Sequence, residues 1–144
     1  ALEQAARTGP GFAVVLADLD RFKRINDAYG HPVGDSVLRH FAEGLRVALR
    51  RGDLAARHGG EEFALILPGA DALAARHVAE RVRQDFAARS FAVRGGGPRL
   101  GALSASFGVA EHAPGETAEA LLARADAALY RAKRQGRNRV CVAD

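Results

Sequence analysis

The sequence predicts an α/β (α+β) domain with a mixed or antiparallel sheet flanked by helices, and three observations predict it. A short, Val-rich apolar run, Phe12-Ala-Val-Val-Leu-Ala17, reads as a buried strand. Three longer stretches, opening near 34, 72 and 117, carry apolar residues at helical spacing. Two pairs of strand-like runs flank glycine-rich breaks, which makes them hairpins, and hairpins exclude an all-parallel sheet.

The elements follow in order. The first strand ends in Asp18-Leu19-Asp20, so it delivers acidic side chains to a sheet edge. Phe22–Tyr29 reads as a short helix broken by Gly30-His31-Pro32. Gly34-Asp35-Ser36 starts a long amphipathic helix with Val37, Leu38, Phe41, Leu45 and Leu49 at its spacing. Residues 54–58 and 61–67 flank Gly59-Gly60 as a hairpin, whose turn is expected to use the positive φ that glycine adopts freely. Pro68-Gly69 ends that strand. Residues 72–88 form a helix with Leu73, Val78, Val82 and Phe86 on one side. Residues 91–93 and 100–110 flank Gly95-Gly-Gly-Pro98, a second hairpin. A third long helix covers 117–135, Gly136 ends it, and 139–142 closes as a strand.

Composition narrows the class. At 144 residues the chain holds one domain, and 48% hydrophobic with 26% charged residues suits a packed core. No apolar run approaches the ~18 residues of a membrane span, and no signal-peptide pattern opens the chain. Cys141 has no partner for a disulfide, which suits a reducing cytosol, so a cytoplasmic location is expected. Net charge is +4 with a pI near 10.0, which points to phosphorylated partners. A solvated basic surface explains that charge equally well, since 19 of the 21 basic residues are arginines scattered among Glu and Asp. There is no zinc spacing, RNA-binding aromatic signature or basic arm, so no nucleic-acid partner is expected. The histidines 31, 40, 58, 77 and 112 lie far apart, as structural or surface residues do.

Four carboxylates stand at two structured turns: Asp18 and Asp20 after the first strand, Glu61 and Glu62 at the hairpin tip. Singly, each is a solvated charge. If the strands are neighbours, the acidic oxygens converge, and hard oxygen donors hold Mg²⁺ or Mn²⁺ together with phosphate oxygens. Only two lysines occur. Lys23 opens a helix, where backbone N–H groups favour phosphate, and Lys133 shares a helical face with Arg137 four residues on. For Lys133 a phosphate contact and a dipole-complementing surface charge are equally supported.

Taken together, these segments resemble a known family, the GGDEF domains of bacterial diguanylate cyclases. Asp18-Leu-Asp-Arg-Phe-Lys-Arg-Ile-Asn-Asp-Ala-Tyr-Gly-His-Pro-Val-Gly-Asp35 resembles the signature DxDxFKxxNDxxGHxxGD. Gly59-Gly-Glu-Glu-Phe63 is similar to the name-giving hairpin in its GGEEF variant. Ser106-Phe-Gly-Val-Ala110 resembles SxGVA, and residues 125–140 resemble ADxALYxAKxxGRNxV. The likeness runs from Phe12 to Val140, and four blocks in order are far more specific than the hairpin alone.

The resemblance implies a palm-like nucleotidyl cyclase fold, and it implies an enzyme that condenses two GTP into cyclic di-GMP. Each domain would hold one GTP, in a transient homodimer whose 3′-hydroxyls attack each other's α-phosphates. Asp18, Glu61 and the Leu19 carbonyl would hold Mg²⁺ or Mn²⁺, and Glu61 would help deprotonate the hydroxyl. Asp20 and Glu62 would make weaker contacts. Asn26 and Asp35 would read guanine, supported by His31. Lys23, Lys133 and Arg137 would neutralise phosphates, and Gly59 and Gly60 would let the nucleotide approach.

Arg50 and Asp53 form an RxxD pair in the position where family members bind product as a feedback inhibitor, and Arg81 matches the residue that completes that site from a neighbouring domain. Alone the pair could equally be a surface ion pair. The DxLTGLxNR segment that family members carry just upstream is missing, so the chain is expected to be a fragment of a longer protein with an upstream sensor. The alternatives are a purine cyclase and a catalytically silent GTP or cyclic di-GMP receptor. The guanine-reading pattern and the intact hairpin argue against them.

Overall fold

A computed structural model describes residues 2, 3, 5, 11–88, 91–92 and 99–144. Strand β1, Phe12–Leu19, is buried along its whole length. The antiparallel hairpin β2 (Leu54–Gly59) and β3 (Glu62–Pro68) lies on one side of it. On the other side, β6 (Ala105–Glu111) pairs antiparallel with β1, and β7 (Val140–Val142) adds to β6 in parallel. The order across this five-stranded sheet is β2-β3-β1-β6-β7, with β1 in the middle. The sheet is therefore mixed, as expected.

Alternate side chains of β1 enter two cores. Ala13, Val15, Ala17 and Leu19 face a layer built by helices α1 (Phe22–Tyr29), α2 (His31–Ala48) and α3 (Ala72–Ala88). Phe12, Val14 and Leu16 face α4, Ala118–Arg134. Helices on both faces explain why β1 reads as a continuous apolar run rather than an alternating one. Phe41 of α2 anchors the larger core, with ring centroids 5.2 Å from Phe63 and 4.9 Å from Phe86. Across the sheet α4 lies so close to β6 that a Cβ on Gly108 would sit 2.2 Å from the Ala125 carbonyl oxygen. Only glycine admits that approach.

Several boundaries differ from the sequence reading. α2 starts at His31, not 34, because Pro32 fits the first helical turn, where its missing N–H costs nothing. Leu73 is exposed, and α3 instead buries Ala75 and Ala79, whose small side chains let the helix lie close to the sheet. The run at 100–110 is two strands, β5 (Arg99–Leu100) and β6, split where Ser104 turns to bond Asp20. β5 pairs antiparallel with β4 (Phe91–Ala92), and the expected tip at 95–98 lies outside the described residues. α4 ends at Arg134, so Arg137 lies beyond it and shares no helical face with Lys133. The hairpin tip needs no positive φ, since neither Gly59 nor Gly60 has one. Both have open space where a side chain would stand. No described helix is long and apolar enough to cross a membrane.

Candidate active site

The pairing of β1 with β3 sets the site. Asp18 stands opposite Glu62 in the ladder, and Leu19 N–H donates to the Glu61 carbonyl at 3.3 Å. The end of β1 and the hairpin tip thus meet, as the sequence required for its carboxylates to converge. Arg57 secures the tip by donating from Nε to the Gly60 carbonyl at 3.0 Å. From the α4 face of the sheet Lys133 donates to Asp18 Oδ2 at 2.5 Å.

Burial governs the electrostatics. Loss of water pushes the Asp18 carboxyl above its ordinary range, and Asp20 adds to the rise. The Lys133 bond and the Arg137 charge pull downward without overcoming it. Glu61 is also raised, by burial first, then by Asp18 and Glu62. Glu62 is raised by burial, Asp18 and Asp126, with His58 and Lys133 opposing. Three carboxylates held above their usual range form a patch short of positive charge.

Those residues fit a hard divalent cation. Among the described residues no three His, Cys, Asp or Glu side chains form a complete cage. Mg²⁺ is commonly held by one or two carboxylates together with substrate phosphates, so a partial oxygen set beside cationic side chains matches its needs.

Asp20 behaves differently from Asp18. Its buried carboxylate accepts from Ser104 Oγ at 2.6 Å, Ser106 Oγ at 2.7 Å and Asn138 N–H at 3.0 Å. It therefore braces three chain segments. This role of Asp20, with Ser104 and Asn138, was not legible beforehand; the available signals were that Ser104 neighbours and Ser106 opens the SxGVA block and that Asn138 is the Asn of the GRNxV ending.

The remaining candidates lie on α1 and α2. Lys23 is exposed in the first turn of α1, with no hydrogen bond or ion pair among the described residues. The Asn26 amide is packed against Gly34, where a Cβ would meet Oδ1 at 1.8 Å. That oxygen is buried and has no hydrogen-bond partner. An orphaned buried acceptor next to Asp35 suits a ligand that donates. Asp35 and His31 are exposed at the start of α2. Asp35 opens a groove of about 810 Å³ between α2 and β2, which runs to Arg50 and Asp53.

Arg50 and Asp53 form a turn, not an ion pair. Arg50 N–H donates to Asp53 Oδ2 at 2.9 Å, and Asp53 N–H to the Arg50 carbonyl at 3.1 Å. The Arg50 guanidinium is exposed. Arg81 of α3 donates to the Ala48 carbonyl at 3.2 Å, two residues before Arg50 in the same chain. This corner stands at the opposite end of β2 from the hairpin tip, roughly 20 Å away for a six-residue strand.

The fold and this acidic edge place the chain in a family of nucleotidyl cyclases. A family model described as diguanylate cyclase, GGDEF domain, matches residues 1–139, and the chain belongs to that family. It is 44% identical over 132 residues to the diguanylate cyclase VdcA of Vibrio cholerae, covering 92% of this chain and 39% of that protein. To the response regulator PleD of Caulobacter vibrioides it is 43% identical over 140 residues, covering 96% of this chain and 31% of that protein. The chain thus spans well under half the length of these relatives. The crystal structure of the GGDEF domain of DgcB from Caulobacter crescentus, in complex with c-di-GMP, superposes with a TM-score of 0.94 at 39% identity. That match covers 99% of this chain and 84% of the DgcB chain.

Proposed function

We propose that this chain is the catalytic domain of a diguanylate cyclase, condensing two GTP into cyclic di-GMP with release of two pyrophosphates. The observation that carries the reading is the meeting of Asp18, Glu61 and Lys133, from three distant segments, at one sheet edge. The name of VdcA and the DgcB complex with c-di-GMP support it.

Asp18, Glu61 and the Leu19 carbonyl would hold Mg²⁺ or Mn²⁺, which supplies charge neutralisation at the phosphates. Asn26 and Asp35 select guanine: the Asn26 oxygen, orphaned in the free chain, accepts from the base, and Asp35 accepts from N–H groups at its edge. His31 supports the nucleoside. Lys23, Lys133 and Arg137 bind phosphate oxygens, and the open sides of Gly59 and Gly60 admit the nucleotide. The 3′-hydroxyl oxygen of one GTP bonds to the α-phosphorus of the other, and the bond to the β-phosphate oxygen breaks. The hydroxyl proton leaves toward Glu61. Glu62 adds negative potential beside it. Two domains face each other for the reaction, so the catalytic dimer forms only transiently. Arg50 and Asp53 form a second site for the product, which Arg81 of a neighbouring domain completes.

The test is to incubate the chain with GTP and Mg²⁺ at high protein concentration and identify the product by mass. Cyclic di-GMP with a rate rising faster than linearly in protein supports the reading. Binding of GTP or cyclic di-GMP without turnover would instead make the chain a receptor.

A further inference from the structure

The turn after α4 leads back to the acidic edge through three successive residues with positive φ: Gly136 at 125°, Arg137 at 66° and Asn138 at 47°. Gly136 ends the helix in a Schellman arrangement. Arg137 N–H donates to the Ala132 carbonyl at 3.0 Å and Gly136 N–H to that of Lys133 at 3.4 Å. That motif does not require the next two residues to be left-handed, a conformation that side chains disfavour. The surrounding structure must hold them there.

Asn138 is gripped from two sides. Its N–H donates to Asp20 Oδ2 at 3.0 Å, and Ser104 and Ser106 anchor that carboxylate in turn. Opposite, Arg83 of α3 donates to Asn138 Oδ1 at 3.0 Å. Glu80 pairs with the same guanidinium, its Oε1 2.7 Å from Arg83 Nε, so Arg83 is oriented before it meets Asn138. The peptide between Arg137 and Asn138 is thereby pinned between the end of β1 and α3. The Arg137 guanidinium itself makes no hydrogen bond or ion pair among the described residues, yet its charge acts on Asp18.

We propose that Asn138 is a positioning residue for the candidate phosphate site. Clamped by Asp20 and Arg83, it holds the left-handed backbone of Arg137 and aims that guanidinium along the edge formed by Asp18 and Lys133. Fixing the arm beforehand lowers the ordering cost of phosphate binding. α3 then contributes to substrate binding without touching substrate. The nature of the ligand rests on the cyclase reading; the clamp does not.

A double-mutant cycle tests this. Arg83→Ala is expected to raise KM for Mg–GTP about tenfold with kcat within about twofold, as for a lost ground-state phosphate contact. In an Arg137→Ala background the same change should do nothing further, because it acts only through Arg137. Asn138→Gly accepts positive φ and keeps the Arg83 contact to the main-chain carbonyl at 3.5 Å but loses the side-chain bond, so it should show part of the Arg83→Ala effect, and Arg83→Lys should recover part of the loss. An unchanged KM, or equal effects with and without Arg137, overturns the proposal. Calorimetry with Mg–tripolyphosphate needs neither guanine nor turnover. If the wild-type chain lacks turnover but Arg83→Ala weakens tripolyphosphate binding, the cyclase reading falls and the clamp stands. Normal turnover with tripolyphosphate binding unmoved by Arg83→Ala overturns the clamp and leaves the cyclase reading in place. Absence of both turnover and tripolyphosphate binding overturns both.

Discussion

The Lys133 ammonium meets Oδ2 of Asp18 across 115 positions of sequence, tying the last turn of α4 to the end of the central strand. The partners are unequally placed: 8% of the Asp18 side chain is exposed against 36% for Lys133. Burial still holds the Asp18 carboxyl above its ordinary range, so the lysine compensates the buried charge only in part. What remains uncompensated is available to a cation.

Removing either partner should therefore have unequal effects. Lys133→Ala is expected to lower unfolding free energy by about 1–2 kcal/mol, the scale of a charged hydrogen bond in a partly solvated site. Asp18→Asn should cost less, because it removes the charge that burial penalises. Urea titration of both variants decides the order, and a larger loss in Asp18→Asn would contradict the burial argument.

The raised carboxylates also set a pH dependence. Groups that hold protons more tightly in the folded state than in the unfolded chain destabilise the fold while ionised. Their penalty is full above the raised folded values and is relieved as pH falls through them. Glu61→Gln should thus match or exceed the wild-type melting temperature at neutral pH, with the advantage shrinking on acidification. Mg²⁺ should raise the wild-type melting temperature and affect Glu61→Gln less, as thermal scans with and without the cation will show.

Glu116 moves the other way. Its hydrogen bonds with Arg124, including Nε to Oε2 at 2.7 Å, hold its carboxyl at about 2. Stability from this group is complete above the ordinary glutamate value near 4.5 and is lost as pH falls through about 2. Glu116→Gln should accordingly be destabilised at neutral pH and converge with the wild type at the acid end. Parallel curves for the two proteins across that window would exclude the assignment.

Gly108→Ala is expected to cost about 3 kcal/mol, since the added methyl meets helix backbone that cannot rotate away. It should also weaken the Lys133–Asp18 contact by lifting α4 off the sheet. Denaturant unfolding reads the first effect. A larger Mg²⁺ response in thermal scans reads the second, since less of the Asp18 charge is then compensated.

Arg50 supplies the last test. Its guanidinium is exposed and not paired with Asp53, so Arg50→Ala should leave stability within about 0.5 kcal/mol of wild type. Cyclic di-GMP binding, measured by titration calorimetry, should drop at least tenfold if Arg50 grips phosphate or guanine through bidentate contacts. Indistinguishable affinities would reduce the corner to a structural turn.

Local chemistry wrote much of this molecule into the sequence. The uninterrupted apolar run from Phe12 announces a strand covered on both faces. Gly30, at a φ of 91°, stops α1 where the sequence reading ended it. The acidic pairs at 18/20 and 61/62 follow from the strand end and the hairpin tip, both legible one segment at a time. Where reading failed, two segments were competing for one residue. Pro32 looked like a breaker but sits where a helix tolerates it, and Leu73 looked like core but is exposed, while Ala75 and Ala79 join Val82 and Phe86 in the buried face of α3.

The sequence alone thus determined which residue types stand at which turns, because turns, caps and periodicity are set by neighbours along the chain. Tertiary structure decided which of them meet. Asp18 and Asp20 are two residues apart and read alike, and strand alternation by itself would put both on the face toward α4. β1 ends at Leu19, however, so only Asp18 is held by the ladder, beside Lys133 and Glu62. Asp20 lies past the last rung and is captured by Ser104, Ser106 and Asn138. That division of labour depends on partners roughly 85 to 120 positions away, brought in by strand pairing and by the close seat of α4 on Gly108, and no local pattern encodes it.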